Sequence, residues 1–253
     1  NRDGNEDDIA TVSASDFLSV FSGQNGSLMF NTTTNFDGFN SLTSIDLDHD
    51  GIRDEIIIGS YHTIYAFEWN GIWNSEYTFG DEIWNQTFGS YNIFEIESMD
   101  LDDDGFVDDI VAANRNYAKI WGINNDSNIL WNSTSVGAST DFINSMSIDN
   151  LNSDDNEEIV YSRTYSDEIY VINKTGTLLW SHLINEGDIG NNAGKSPATD
   201  IGDVNNDGIN DIVVASLNGF AHVIQMVNCV AEFSDSTAYN MTWNNTLLKW
   251  EIN

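Results

Sequence analysis

Basic residues are scarce in this chain. Eight Lys plus Arg stand against 41 Asp plus Glu over 253 residues, a formal charge of −33. A field of that sign repels nucleic acid and anionic lipid, so neither is expected as a partner, and it attracts cations. One cysteine, Cys229, excludes an internal disulfide framework and any multi-cysteine zinc site. A single proline leaves no Pro-rich linker and no obvious domain boundary. No apolar run approaches the roughly 20 residues of a membrane span, so direct insertion in a membrane is not expected. The opening segment "NRDGNEDDIA" has no signal-peptide character, and a leader or anchor would lie outside it. What is present is a globular composition: 40% hydrophobic and 12% aromatic residues, with eight Trp. That is a folding chain and not a disordered acidic tail.

The acidic residues are not spread evenly. They gather in "NRDGNEDDIATVS" from Asn1, "DLDHDGIRDEIIIGS" from Asp46, "DLDDDGFVDDIVAAN" from Asp100, "NLNSDDNEEIVYS" from Asn150 and "DVNNDGINDIVVAS" from Asp203. The central residues Asp3, Asp50, Asp104, Asp154 and Asp207 follow one another at 47, 54, 50 and 53 residues, which is a repeat. More than half of the acidic residues lie in these clusters, so the extreme charge is largely a property of the repeat.

Each cluster has the same neighbours. A short alternating run precedes it, such as "SLTSID" or "EIESMD", and a β-branched apolar run follows, such as "EIIIGS" or "DIVAAN". A third run comes next ("TIYAFEW", "YAKIWGI", "EIYVIN", "FAHVIQ"). The fourth often ends in an aromatic residue: "GQNGSLMF", "NGIWN", "NDSNILW", "KTGTLLW", "NNTLLKW". Runs of four to seven residues punctuated by Asn, Gly and Asp are strand and hairpin signals, and no stretch keeps a 3.6-residue apolar period over ten residues. The expected fold is all-β, a β-propeller of about five four-stranded blades, possible also as part of a larger propeller. The repeats run approximately 1–39, 40–91, 92–140, 141–194 and 195–253 within one domain. Phe30, Trp73, Trp131, Trp180 and Trp250 are expected to pack between blades, because they recur in phase.

The clusters share D-x-[DN]-x-D-G-x-x-D. Oxygens at positions one, three and five, a carbonyl at seven and a carboxylate at nine can converge on one ion. That all-oxygen set suits calcium before magnesium. Gly4, Gly51, Gly105 and Gly208 at position six supply the left-handed turn that doubles the loop back. Position twelve is Ile57 or Val111, inside a strand, so these are not helix–loop–helix sites.

These loops, their period of about fifty residues, and the fragments "TFGS" (87–90) and "VGAS" (136–139) resemble FG-GAP repeats. Such repeats form the blades of integrin-α-type propellers and of VCBS-type surface proteins. The turns "NKTGTLLW" and "NDSNILW" resemble quinoprotein-like repeats more weakly. The FG-GAP resemblance covers nearly the whole chain, to about Gln225, and implies three to five calcium ions. Its ligand positions fall on Asp46, Asp48, Asp50, Asp54 and the Ile52 carbonyl. In the third copy they fall on Asp100, Asp102, Asp104, Asp108 and the Phe106 carbonyl, and in the fifth on Asp203, Asn205, Asp207, Asp211 and the Ile209 carbonyl. The first copy is truncated to Asn1, Asp3, Asn5 and Asp7. The fourth, with Asn150, Asn152, Asp154, Asn156 and Glu158, has Asp155 where Gly is expected and should be the weakest.

Such a protein is expected to be a non-catalytic, calcium-stabilised binding or adhesion module, meeting a protein or glycan ligand at a cell surface. Eight Asn-x-Ser/Thr triplets (Asn25, Asn31, Asn85, Asn125, Asn132, Asn173, Asn240, Asn244) would carry N-glycans in an exported chain. Two alternatives stand beside it. One is an architectural subunit of a surface layer or filament, and the other is the propeller of a polysaccharide-acting or quinoprotein-like enzyme. The enzyme reading lacks a catalytic set: His49, His62, His182 and His222 are scattered, and no phosphate-binding or Ser–His–Asp pattern is recognisable.

Overall fold

The computed structural model describes residues 8–13, 17–33, 38–68, 81–89, 91–115, 118–133, 143–152, 154, 156–163, 168–183, 199–215, 221–226, 241–244 and 249–252. Among them are twenty strands and no helix. The first sheet holds β1 (Ile9–Ser13), β2 (Phe17–Phe21) and β3 (Leu28–Thr33). The second holds β4 (Phe39–Ile45), β5 (Glu55–Ser60), β6 (Thr63–Glu68) and β7 (Asp81–Thr87). β8 (Ile93–Met99), β9 (Asp109–Asn114), β10 (Ile120–Ile123) and β11 (Ile129–Asn132) form the third. β12 (Ile143–Asp149), β13 (Glu158–Arg163), β14 (Glu168–Asn173) and β15 (Leu178–Leu183) form the fourth. A fifth has β16 (Thr199–Gly202), β17 (Asp211–Ala215) and β18 (Ala221–Ile224), and a last hairpin pairs β19 (Met241–Asn244) with β20 (Lys249–Ile252).

In every sheet the strands follow chain order, a meander of neighbours. From the second sheet to the fifth, the acidic cluster falls between the strand that opens the sheet and the next one, as in the step from β4 to β5 or from β8 to β9.

The chain divides into two compact units, Asn1–Ile143 with Lys174–Thr177, and Asn144–Asn173 with Leu178–Asn253. In the first unit, alternation along the second sheet explains why "EIIIGS" is apolar on both sides. Ile57, Ile64 and Ala66 face a core shared with Ile93, Ile96, Ile110, Ala112 and Trp121 of the third sheet. Ile58 and Phe67, one residue out of phase, face Leu18 and Val20 of the first. A sheet covered on both faces needs unbroken apolar strands, where a half-buried one would alternate. The second unit repeats this on a smaller scale, with Val160, Ile169 and Val171 packed on Ile212, Val214 and Ile224.

The aromatic residue of the outer strand has a fixed place. Phe30 pairs with Val20, Trp84 with Ala66, Trp131 with Gly122 and Trp180 with Val171, and a register shift follows each pair on the inner strand. Trp84, not Trp73, therefore holds this position in the second sheet. "DEIWNQT" alternates without a glycine, whereas "NGIWN" is interrupted by one, and Trp73 lies outside the described residues. Trp84 and Trp180 pack on the cores of their units. The side chains of Phe30 and Trp250 are outside the described residues.

The run "NNTLLKW" also differs from expectation. Lys249–Ile252 pairs with Met241–Asn244, in a register that sets the backbone of Trp243 opposite that of Trp250, and not with the fifth sheet. A partner four residues away closes a shorter loop than one more than twenty residues upstream, at lower entropic cost.

Candidate metal centre

The backbone of the acidic loops is set by their own side chains. In the second loop Asp50 N–H donates to Asp46 Oδ1 at 3.1 Å and Asp48 Oδ1 at 3.0 Å. Gly51 N–H donates to Asp46 Oδ2 at 3.0 Å, and Ile52 N–H to Asp50 Oδ1 at 2.9 Å. The third loop repeats this with Asp104 on Asp102, Gly105 on Asp100 and Phe106 on Asp104. The fifth repeats it with Asp207 on Asp203 and Asn205, Gly208 on Asp203, and Ile209 on Asp207. The Gly208 N–H accordingly holds the Asp203 carboxyl below its ordinary range.

Position six is left-handed in all three, with φ of +88° at Gly51, +92° at Gly105 and +88° at Gly208. Position four is left-handed as well: His49 at +58°, Asp103 at +66° and Asn206 at +61°. These are the non-glycine residue types that tolerate that region best.

This folding brings positions one, three and five together. Carboxylate oxygens of Asp46, Asp48 and Asp50 lie within 4.8 Å of one another, as do those of Asp100, Asp102 and Asp104. At an effective dielectric of about 20 each such pair repels by roughly 3 kcal/mol, and in bulk water by about 1 kcal/mol. The fourth loop makes the same short turns, Asn152 on Asn150, Asp154 on Asn152 and Asn156 on Asp154, with fewer charges. Asn1, Asp3, Asn5 and Asp7 lie outside the described residues.

The ninth position divides into two kinds. In each described loop one buried acid opens the following strand: Glu55 accepts from Leu47 N–H at 2.8 Å, Asp109 from Leu101 at 2.9 Å and Glu158 from Leu151 at 2.9 Å. Asp211 belongs to this set, buried and accepting from Met226 N–H at 3.0 Å. Counted from the loop start, Glu158 and Asp211 stand at position nine, but Glu55 and Asp109 stand at ten. The second and third loops are therefore one residue longer, and the acid just before the capping residue is Asp54 or Asp108 there and Glu157 in the fourth loop. The doublets "DE", "DD" and "EE" ahead of an apolar strand carry that pair of acids in the sequence.

Asn at position three changes the local charge. Asn152 Nδ2 donates to Glu158 Oε1 at 3.0 Å and Asn205 Nδ2 to Asp211 Oδ2 at 3.3 Å, a service that Asp48 and Asp102 cannot perform.

Burial pushes the Glu55 carboxyl up to about 7 and Asp109 up to about 6, with Glu158 and Asp211 displaced in the same direction. A raised acid binds its proton more tightly in the folded chain. Its stabilising contribution is present below the unfolded value near 4.5 and is lost as pH rises through about 7. The melting temperature of EDTA-treated protein should therefore fall between about pH 4.5 and 7. Glu55→Gln, which keeps an acceptor for Leu47, should make that slope shallower. An unchanged slope in the variant would remove Glu55 from this account.

No protein-family model matches the sequence, and no curated protein matches it. Among solved structures, the chain is similar to a protein of unknown function from Bacteroides caccae, with a TM-score of 0.52 at 13% identity. The match covers 87% of this chain and 68% of that one. The likeness is one of fold.

Proposed function

We propose that the chain is a calcium-stabilised binding module of the FG-GAP/VCBS propeller type, acting without catalysis at a cell surface on a protein or glycan ligand. The observation that carries this reading is recurrence. The same loop, with the same backbone hydrogen bonds and the same buried capping acid, enters the second strand of one sheet after another. An acidic patch formed by chance would not return in phase with the fold. The donor set is oxygen alone at positions one, three and five, which fits a hard divalent cation of calcium's size. Asp108 strengthens the fit in the third loop: it is 1% exposed, and its Oδ1 has no hydrogen-bond partner. A buried carboxylate oxygen left so is costly unless a cation meets it.

The second and third loops, with Asp at every odd position to five, should bind first. The fifth follows and the fourth is weakest. Isothermal titration of EDTA-stripped protein with CaCl2 should give at least two sites, and Asp104→Asn should remove one. An isotherm without heat above dilution would overturn the calcium reading.

The surface role is tested separately, by screening the calcium-loaded chain against immobilised glycans and cell-surface proteins. Calcium-dependent capture is expected, and turnover of a polysaccharide would favour an enzyme instead. Among the glycan acceptors, Asn25, Asn31, Asn85 and Asn132 are exposed, whereas Asn125 is committed to Asp108 and should stay unmodified in an exported chain.

A further inference from the structure

The second and third loops touch through one side chain. His49, at position four of the second loop, reaches across so that Nε2 lies 2.7 Å from Asp108 Oδ2. Its ring stacks on Phe106, centroids 3.9 Å apart and planes 8° from parallel, which fixes the direction of the imidazole. Asn125 Nδ2 donates to the same Oδ2 at 2.6 Å, so that oxygen is fully engaged while the buried Oδ1 has no partner. One ligand-capable atom from each of His49, Asp104 and Asp108 falls within 4.8 Å of the others.

We propose that His49, Asp104 and Asp108 form a site for a first-row transition-metal ion such as Zn2+, joining the second loop to the third. The proposal rests on the third loop being a cation site, because Asp104 and Asp108 belong to both. The difference lies in the donors. Calcium takes oxygen ligands, whereas an imidazole beside two carboxylates suits Zn2+, Ni2+ or Cu2+. The other loops offer no imidazole at this position: Asp103 stands in the third, paired with Lys174, and Asn206 in the fifth.

Metal–ligand bonds of about 2.1 Å place tetrahedral neighbours about 3.4 Å apart, so binding must open the His49–Asp108 contact somewhat. His49 retains 31% exposure of its side chain and has room to withdraw. Shared acids also make the two metals rivals. Zn2+ held by His49 takes Asp104 and Asp108 from a hard ion in the third loop, so calcium should weaken zinc binding.

The test uses the full chain, stripped with EDTA and dialysed, and the variant His49→Asn. Asparagine keeps the left-handed backbone, as Asn206 does in the fifth loop. Titration with ZnCl2 should show a site in the wild type whose affinity falls at least about tenfold in the variant. With substoichiometric Cu2+, the electron spin-echo modulation of a coordinated imidazole should be present in the wild type and absent from the variant. Coincident zinc isotherms, or imidazole modulation that persists without His49, would overturn the proposal. The calcium-induced rise in melting temperature should be the same for both proteins. If calcium moves neither, the hard-cation reading fails, and the zinc comparison still decides the role of His49.

Discussion

Removing divalent cations with EDTA is expected to lower the melting temperature by about 5–10 °C for each loop that holds an ion. A ligand that binds only the folded state stabilises it by about 2.7 kcal/mol at a hundredfold excess over Kd. In a chain of this length 1 kcal/mol is worth about 2–4 °C. Loop energetics point the same way. Each loop makes about four backbone-to-carboxylate hydrogen bonds, each of order 1 kcal/mol net. In the second and third loops three mutually close carboxylates oppose them with three repulsions of about 1–3 kcal/mol each. Without a cation the two sums nearly cancel, and with one the repulsion turns into attraction. Calorimetric scans in 1 mM CaCl2 and 1 mM EDTA measure the difference. Equal melting temperatures would mean that these loops are held by their hydrogen bonds alone.

The second large effect is steric. Trp131 lies over Gly122 so closely that a Cβ there would stand 2.4 Å from its indole ring, a distance real contacts do not reach. Gly176, within the turn Lys174–Thr177 of the same unit, also lies against the ring, where a Cβ would stand 2.5 Å from it. The indole touches two bare backbones, and a methyl group at either one would have to displace it. Gly122→Ala should therefore cost about 1–3 kcal/mol, the usual range for overpacking. Gly176→Ala should cost more, because its φ of +76° adds the left-handed penalty of about 1–2 kcal/mol. Urea unfolding followed by circular dichroism measures both. Pairing Gly122→Ala with Trp131→Leu should recover part of the loss, since the smaller side chain vacates the contested space. An unchanged midpoint for Gly122→Ala would mean that the indole has another place to go.

How far the sequence could be read depended on the range of the interaction. The all-β character was legible because "EIIIGS" and "DIVAAN" are short, β-branched and bounded by turn residues. The loops were legible because Asp at positions one, three and five and Gly at six is a local rule. The equivalence of Glu55 and Asp109 with Glu158 and Asp211 was not. Two loops are one residue longer, so counting from the loop start places unlike residues in one column. Only pairing, Ile45 with Glu55 and Gly202 with Asp211, realigns them. Nothing local to His49 says that its ring crosses to Asp108, 59 residues away. Trp73 and Trp84 look alike in the sequence, because both follow an isoleucine in an Asn-rich neighbourhood. The register opposite Ala66 distinguishes Trp84, and register is a long-range property.

Burial of the second sheet on both faces bears on how such a chain could change over generations. In the first unit Ile57 and Ile58 serve different neighbours, so loss of a single strand would strip two cores at once. Gain or loss of a whole fifty-residue segment exchanges one pair of matching faces for another and leaves every other contact as it was. Inherited length variation should accordingly come in multiples of the repeat. Smaller insertions belong in the turns, where no core residue has to move.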